Sequence, residues 1–168
     1  MNFDGIEWDE EMISFSVNNL KNVDAILLGR KTAEGFIPYW ADYAHNPKPK
    51  DMNNSLGKPL TDIPKIVFSN ELKTNPWENA TIISGDFEKE IKSLKKKAGK
   101  DIIVFGGLSF ASSLVKHKLI DEYYFFVNPL AISSHEPILK FINSEVSLKL
   151  KDCKPFPSGT VLLHYTNK

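Results

Sequence analysis

Glycine precedes a predicted helix at two places in the sequence, and one of them is the stretch IIVFGGLSFASSLV at 102–115. An apolar, strand-like run there ends at Gly106 and Gly107, and small and apolar residues then continue at helical spacing. Residues without a Cβ atom let the backbone approach a bound group, and the free N–H groups at the start of a helix favour an anion. The pair therefore predicts a phosphate-binding turn, with a close-packed strand-to-helix connection as the alternative.

The other place is the stretch ILLGRKTAEGF at 26–36, where Gly29 ends a predicted strand and Arg30, Lys31 and Thr32 begin a helix. Cations at a helix N-terminus oppose the helix dipole, so helix stability does not account for them. They fit a polyanionic ligand, because a guanidinium forms paired hydrogen bonds with a phosphate. The alternative is that they are solvated surface groups. Since open α/β sheets bind ligands at the carboxyl ends of their strands, the two places together predict a dinucleotide site.

The composition favours a single domain of the cytoplasm. The chain has 168 residues, and its 21 lysines and arginines balance its 21 aspartates and glutamates, so no net field favours nucleic acid or an acidic membrane. No apolar run is long enough to span a bilayer, and the N-terminal residues lack the basic and apolar segments of a signal peptide. Cys153 is the one cysteine, which excludes an internal disulfide and suits a reducing compartment.

Strand-like and helix-like segments alternate, which predicts an α/β fold with a mostly parallel sheet, flanking helices and a closing antiparallel hairpin. Asp9 is expected to cap the first helix and Asp86 a later one. The segment 41–63 is rich in proline, asparagine and lysine, and is predicted to form a long surface excursion. The predicted helices cover 10–22, 30–36, 87–99 and 109–119, and the predicted strands cover 24–29, 65–69, 80–84, 101–105, 121–130 and two segments of the tail 147–168.

Three stretches of the sequence resemble the dihydrofolate reductase-like superfamily in their order and spacing. They are VDAILLGRKTAEGF at 23–36, IPKIVFSNEL at 63–72 and DIIVFGGLSFASSLVKHKLIDEYYFFVNPL at 101–130. They look closest to stand-alone members related to the reductase domain of bifunctional riboflavin-biosynthesis enzymes, and PYW at 38–40 and the closing GTVLLHYTNK support that link. The resemblance spans residues 8–167 and implies one dihydrofolate reductase-like domain over 1–168.

The resemblance implies an NADPH-dependent reductase and assigns residues to the cofactor. By this analogy Gly29, Arg30, Lys31 and Thr32 hold the phosphates of NADPH, including the adenosine 2′-phosphate. Ser69 and Asn70 would border the adenosine, and Gly106, Gly107, Leu108, Ser109 and Phe110 would lie under the pyrophosphate and the nicotinamide side. The reaction would transfer a hydride to a C=N or C=O carbon of a pteridine- or pyrimidine-like molecule. The riboflavin-pathway 5-amino-6-(5-phosphoribosylamino)uracil reductase is the similar activity.

The substrate side rests on fewer residues. Dihydrofolate reductases place a carboxylate in the first helix, whereas this sequence has Ile13 at the matching position, which argues against dihydrofolate as the substrate. Glu11 is a candidate acid, with an ordinary first-turn acid as the alternative. Four aromatic residues are candidates for the walls of a pocket for a flat heterocycle, and core packing explains each of them as well: Trp8, Phe36, Tyr39 and Trp40.

The sequence leaves three functions open: an NADPH-dependent reductase, a nucleotide- or ligand-binding protein without catalysis, and an accessory dimer without a cofactor. The expected partner is a small heterocyclic substrate rather than nucleic acid or a membrane. No hydrolase nucleophile is predicted, because the serines of 109–113 lack the G-x-S-x-G setting. No metal site is predicted either, because the four histidines lack metal-ligand spacing: His45, His117, His135 and His164.

The resemblance also predicts a missing strand. Family members begin with a strand that lies between those matching 101–105 and 121–128, whereas MNFDGIEW resembles the loop that follows it. Two apolar strands would then have unpaired backbone edges, unless the natural chain extends upstream or another segment fills the gap. The run YYFFV at 123–127 is more apolar than a solvent-facing strand, so we also expect a homodimer through sheet edges or through this strand.

Overall fold

The computed structural model describes residues 8–97, 99–131, 142 and 145–168, which form helices on both faces of a parallel sheet and a second, antiparallel sheet. The parallel sheet has the strand order β3-β2-β1-β4, and the antiparallel sheet has the order β5-β7-β6. The predicted α/β fold is therefore confirmed. The helices are α1 (Glu10–Leu20), α2 (Arg30–His45), α3 (Asn54–Asp62), α4 (Phe87–Lys95) and α5 (Leu108–Lys116). The strands are β1 (Val23–Gly29), β2 (Lys65–Phe68), β3 (Ala80–Ile83), β4 (Asp101–Val104), β5 (Glu122–Val127), β6 (Leu148–Pro155) and β7 (Val161–Asn167).

Both edges of β1 are paired, with β2 and β4, and helices cover both of its faces. Ile26 and Leu28 pack into one cluster with residues of α1, α2 and α3, and Leu27 packs into another with residues of α4 and α5. Successive side chains of a strand point to opposite faces, so a strand covered on both sides is apolar nearly throughout. All four strands of this sheet run parallel, so their carboxyl ends lie at one edge of the sheet.

Aspartate caps begin α1 and α4, as predicted. Asp9 Oδ1 accepts a hydrogen bond from the backbone N–H of Met12 at 2.9 Å, and Asp86 Oδ1 accepts one from Lys89 at 3.1 Å. Asp9 also accepts from the backbone N–H of Ser158 through Oδ2 at 2.9 Å. The cap of α1 therefore also ties this helix to the turn between β6 and β7.

The prediction of a surface excursion over 41–63 is wrong for most of that segment. Its first residues continue α2, and α3 buries Leu56 and Leu60 in the same core cluster as α2. Gly57 permits this contact, because a Cβ atom there would lie 2.8 Å from the backbone carbonyl carbon of Tyr43. The composition of this segment predicts a loop because most of its residues are polar. Its packing nevertheless depends on three residues, Leu56, Gly57 and Leu60.

Among the described residues, β4 pairs with β1 alone and β5 pairs with β7 alone, so each has one edge without a strand neighbour. The side chains of Ile102, Ile103 and Val104 in β4 are only half-buried, whereas Ile26 and Leu28 of β1 are fully buried. The strand predicted between 101–105 and 121–128 would lie along these edges, and it stays a prediction.

Lys65 is a buried cation at the start of β2, with only 3% of its surface exposed. Its Nζ donates a hydrogen bond to the backbone carbonyl of Thr61 in the last turn of α3. Burial lowers the pKa of Lys65 from 10.5 to about 8, and the charge of Asp62 partly offsets this effect. The charged form of the Lys65 side chain is therefore less favourable in the folded state than in the unfolded chain.

We expect Lys65 to contribute more to the free energy of unfolding as the pH rises from about 8 to 10.5. The pKa of Lys65 is lower in the folded state, so the unfolded chain binds more protons across this range, and the free energy of unfolding increases with pH. Lys65→Met keeps the length of the side chain and removes the titration. Thermal unfolding of both proteins across this range should show the stability of wild type rising relative to that of Lys65→Met, and pH profiles of equal shape would contradict this.

Candidate functional site

Two helix N-termini meet at the carboxyl edge of the parallel sheet. β1 and β4 are neighbouring parallel strands, so α2, which follows β1, and α5, which follows β4, begin side by side. A Cβ atom on Gly29 would lie 3.1 Å from Phe110 Cβ, and a Cβ atom on Gly107 would lie 2.7 Å from Thr32 Oγ1. The first turns of the two helices are therefore in contact, and the two glycine turns singled out in the sequence form one junction, which we call the α2/α5 junction.

The N-cap of each helix at the α2/α5 junction is a glycine. Gly29 and Gly107 have no side chain, and neither helix has a side-chain hydrogen bond at its cap. The N–H groups of a first helical turn have no partner within their own helix, and the helix dipole places partial positive charge there. A phosphate is a ligand that would satisfy such groups in both helices.

The Gly106-Gly107 turn has a backbone that favours glycine at both positions. Gly106 has φ +58° and Gly107 has φ +78°, a region that side chains with a Cβ atom rarely adopt. Gly106, Gly107, Leu108 and Ser109 are all exposed, so the turn and the start of α5 face solvent. The backbone here is open to close approach by a ligand.

Arg30 has two acidic partners at the start of α2. Its Nη1 donates to Glu34 Oε1 at 2.7 Å, and its Nη2 lies 2.9 Å from Glu71 Oε2. The hydrogen bond with Glu34, followed by the charge of Glu71, raises the pKa of Arg30 above its ordinary value. The i, i+4 spacing of Arg30 and Glu34 is visible in the sequence and could have predicted the first pair. The second pair depends on tertiary structure, and sequence reasoning missed it.

Ser69 and Asn70 organise the loop after β2 that carries Glu71. Ser69 Oγ accepts hydrogen bonds from the backbone N–H groups of Glu71 and Leu72, both at 3.1 Å. Asn70 Oδ1 accepts from the backbone N–H of Gly85 at 2.8 Å, beyond the end of β3. These contacts fix the backbone of the loop beside the α2/α5 junction, so both residues position Glu71 in addition to any role toward a ligand.

The aromatic candidates for a substrate pocket divide into two groups. Phe36 and Trp40 are only 2% and 5% exposed and pack in the core, where Phe36 stacks on Phe105 at a centroid distance of 5.4 Å. Core packing accounts for both of them. Trp8 and Tyr39 are half-buried, and Trp8 lies 6.4 Å from the ring of Phe126 on β5. Trp8 and Tyr39 are the two that could present a ring face to a heterocycle.

Glu11, the candidate acid of the first helix, is exposed in the first turn of α1. Its Oε2 lies 3.7 Å from Lys154 Nζ on β6, so it faces the antiparallel sheet. A partly solvated ion pair of this length contributes little to stability. The alternative interpretation of Glu11 as an ordinary first-turn acid accounts for this position.

The α2/α5 junction is an open surface, and two recesses elsewhere are lined by other residues. One, of about 440 Å³, lies beside β3, and the other, of about 420 Å³, lies between α1 and α3. In the described parts of the chain, no group of three or more His, Cys, Asp and Glu side chains could hold a metal ion. Likewise, no helix over those residues has the length and apolar character needed to cross a bilayer. The α1/α3 recess, which sequence reasoning missed, is lined by Glu10, Ile13, Ser14, Val17, Asn18, Met52 and Ser55.

The sequence matches a family model and two proteins of Bacillus subtilis strain 168. The model described as the RibD C-terminal domain matches residues 7–162. The uncharacterised protein YyaP is 29% identical over 147 residues, which cover 87% of this chain and 75% of YyaP. The uncharacterised protein YwjB is 26% identical over 164 residues, which cover 95% of this chain and 85% of YwjB.

Two solved structures share the fold at low sequence identity. A protein of Shewanella sp. PV-4 named for riboflavin biosynthesis superposes with a TM-score of 0.68 and 17% identity, covering 100% of this chain and 84% of its own. A pyrimidine reductase-like protein of Corynebacterium diphtheriae superposes with a TM-score of 0.62 and 15% identity, covering 99% of this chain and 86% of its own. These likenesses establish the RibD-type, dihydrofolate reductase-like fold.

Proposed function

The chain belongs to the RibD C-terminal domain family, and we propose that it is a reductase that binds NADPH at the α2/α5 junction. The proposed reaction is hydride transfer to a pteridine- or pyrimidine-like molecule. Family membership supports a riboflavin-pathway-like reductase fold, and the cofactor and substrate are the steps that we add to it. The names of the two solved structures agree with this substrate class but describe those proteins alone.

The contact between Gly107 and Thr32 is the observation that carries the proposal. A Cβ atom at position 107 would lie only 2.7 Å from Thr32 Oγ1, so the two helix starts as they stand leave no room for a side chain at this position. A close-packed turn alone would explain why one helix begins at a glycine. Two uncapped helix starts in contact, beside an arginine and a lysine, fit a ligand with several phosphates.

Each group of residues at the junction has a separate part in this proposal. The N–H groups at the starts of α2 and α5 bind the pyrophosphate, and the exposed Gly106-Gly107 turn admits it. Arg30 and Lys31 bind the 2′-phosphate, and the loop of Ser69 and Asn70 borders the adenosine. The nicotinamide supplies the hydride when NADPH is bound. The protein contributes by orienting the cofactor and the substrate relative to each other.

Consumption of NADPH tests the proposed reaction. The purified protein is incubated with NADPH and a panel of oxidised pyrimidine- and pteridine-like heterocycles, and the loss of reduced nicotinamide absorbance is followed. We expect turnover with at least one member of the panel. Binding of NADPH without any turnover would favour a non-catalytic nucleotide-binding protein, and absence of both would favour an accessory protein without a cofactor.

We also propose that the protein is a homodimer of the cytoplasm. Tyr124, Val127 and Leu150 on the antiparallel sheet are 41%, 49% and 50% exposed, and apolar surface of this kind favours association. Light scattering should give twice the mass of the chain, and the mass of one chain at tens of micromolar would contradict the dimer.

The single cysteine suits the cytoplasm, and recovery of the protein in the cytosolic fraction of cells tests that location.

A further inference from the structure

Glu71 is an acidic residue at the place where the proposed function requires an anion to bind. Its Oε2 lies 2.9 Å from Arg30 Nη2, while Glu34 Oε1 accepts from Nη1 at 2.7 Å. The guanidinium is therefore shared between a carboxylate of its own helix and a carboxylate of the loop after β2. A phosphate that reaches Arg30 must displace one of these carboxylates or lie beside it.

The two carboxylates are held in different ways. Glu34 follows Arg30 by one helical turn, so the fold of α2 by itself places the two side chains next to each other. Glu71 reaches Arg30 from another element, and its side chain is 76% exposed, compared with 49% for Glu34. The loop beneath Glu71 is fixed by the hydrogen bonds to Ser69 Oγ. The carboxylate of Glu71 is thus kept near Arg30 by its backbone while its side chain has room to turn into solvent.

The two carboxylates make the surroundings of Arg30 less favourable for a phosphate. The site therefore accepts a hydroxyl more readily, relative to a phosphate, than Arg30 alone would. The carboxylates of Glu34 and Glu71 balance the charges of Arg30 and Lys31, so this place has little net attraction for a phosphate monoester dianion. A ribose hydroxyl carries no charge and can donate a hydrogen bond to a carboxylate. In dinucleotide sites generally, an acidic residue accepts from the free 2′-hydroxyl, and an arginine accommodates the 2′-phosphate. Here both residue types meet in one ion pair.

We propose that Glu71 is a specificity-determining residue that narrows the preference of the site for NADPH over NADH by competing with the 2′-phosphate for Arg30. This inference rests on the proposed binding of NADPH at the α2/α5 junction. Removing the charge of Glu71 releases Nη2 of Arg30 for the phosphate and removes a repulsive charge beside it. The interaction of NADH changes little in Glu71→Gln, because its ribose lacks that phosphate and the amide oxygen of glutamine can still accept a hydrogen bond from the 2′-hydroxyl.

Dissociation constants for NADPH and NADH, measured by quenching of tryptophan fluorescence, test this inference in four proteins. Glu71→Gln should tighten NADPH binding by about 3–10-fold and leave NADH within about twofold, with a difference that shrinks as salt is raised. Glu78→Gln is the matched control, since it removes the same charge from the same connection between β2 and β3. Arg30→Ala should weaken NADPH binding by about 10–100-fold and barely change NADH binding.

The outcomes separate this inference from the proposed function. Equal changes for NADPH and NADH in Glu71→Gln, or an NADPH gain no larger than that of Glu78→Gln, would overturn the role of Glu71 while leaving the reductase in place. Equal losses of the two cofactors in Arg30→Ala would place Arg30 away from the 2′-phosphate and overturn the inference as well. Absence of binding of either cofactor by wild type would overturn both.

Discussion

Replacing Gly107 with alanine is expected to lower the melting temperature and to weaken NADPH binding by about tenfold or more, a loss of about 1.4 kcal/mol. Gly107 has φ +78°, where a residue with a Cβ atom costs about 1–3 kcal/mol. The added Cβ would also lie 2.7 Å from Thr32 Oγ1, so the side chain of Thr32 must rotate or the starts of α2 and α5 must move apart. Each kcal/mol should lower the melting temperature by about 2–4 °C in a domain of this size. Circular dichroism and NADPH titration measure the two effects.

Two further variants separate backbone strain from the contact between the helices. Gly106 has φ +58° but no heavy atom within 4 Å of an added Cβ, so Gly106→Ala should show the strain without the displacement. Thr32→Ala removes the hydroxyl that the new Cβ would meet, so the double variant should recover part of the fall in melting temperature seen in Gly107→Ala. Equal falls in melting temperature for Gly106→Ala and Gly107→Ala, with no recovery in the double variant, would contradict the contact between the helix starts.

Amide hydrogen exchange should be slow in β1 but fast at alternate positions of β4 and β5. β1 pairs on both sides, with β2 and β4, whereas β4 and β5 each pair on one side among the described residues. An amide at an open edge exchanges without any opening of the fold, while a paired amide in a central strand requires an opening of several kcal/mol. We expect a difference of at least about a hundredfold, corresponding to about 2.7 kcal/mol. β2, which pairs with β1 and β3, is the internal control.

We propose that one further strand can pair with both β4 and β5, and that the amides along these edges exchange fast only where no such strand is bound. The half-buried Ile102, Ile103 and Val104 of β4 support it, because a strand with both neighbours and both faces covered would bury them as β1 buries Ile26 and Leu28. Slow exchange throughout β4 and β5, equal to that of β1, would contradict the open edges. Fast exchange at alternate positions agrees with them.

The parts of the fold that the sequence predicts depend on local patterns of residues. The apolar run at 24–29, the aspartate caps of α1 and α4, and the Gly106-Gly107 turn each depend on residues adjacent in the chain. The order of these segments was enough to predict an α/β fold. By contrast, α3 depends on the close approach of Gly57 to Tyr43, which no local pattern in a polar segment indicates.

In the candidate site, too, some features follow from local sequence and others depend on tertiary structure. The two glycine turns were found because each has a local pattern, and parallel pairing of β1 with β4 then brings them together. The Arg30–Glu34 pair is also readable from helical spacing. The Arg30–Glu71 pair is not, because residues 30 and 71 are brought together only by the pairing of β1 with β2. Likewise, burial of Phe36 and Trp40 depends on the packing of α2 against the sheet rather than on their own neighbours in sequence.

Amide NMR spectra of the labelled protein, recorded during titration with NADPH, test the central claim most directly. If NADPH binds at the α2/α5 junction, the largest chemical-shift changes should lie at 29–33 and 106–110, with smaller changes at 69–71. NADH should shift the same amides of the two helix starts but affect Arg30 and Glu71 less. Saturable changes confined to other parts of the fold, or no changes at millimolar NADPH, would contradict the account.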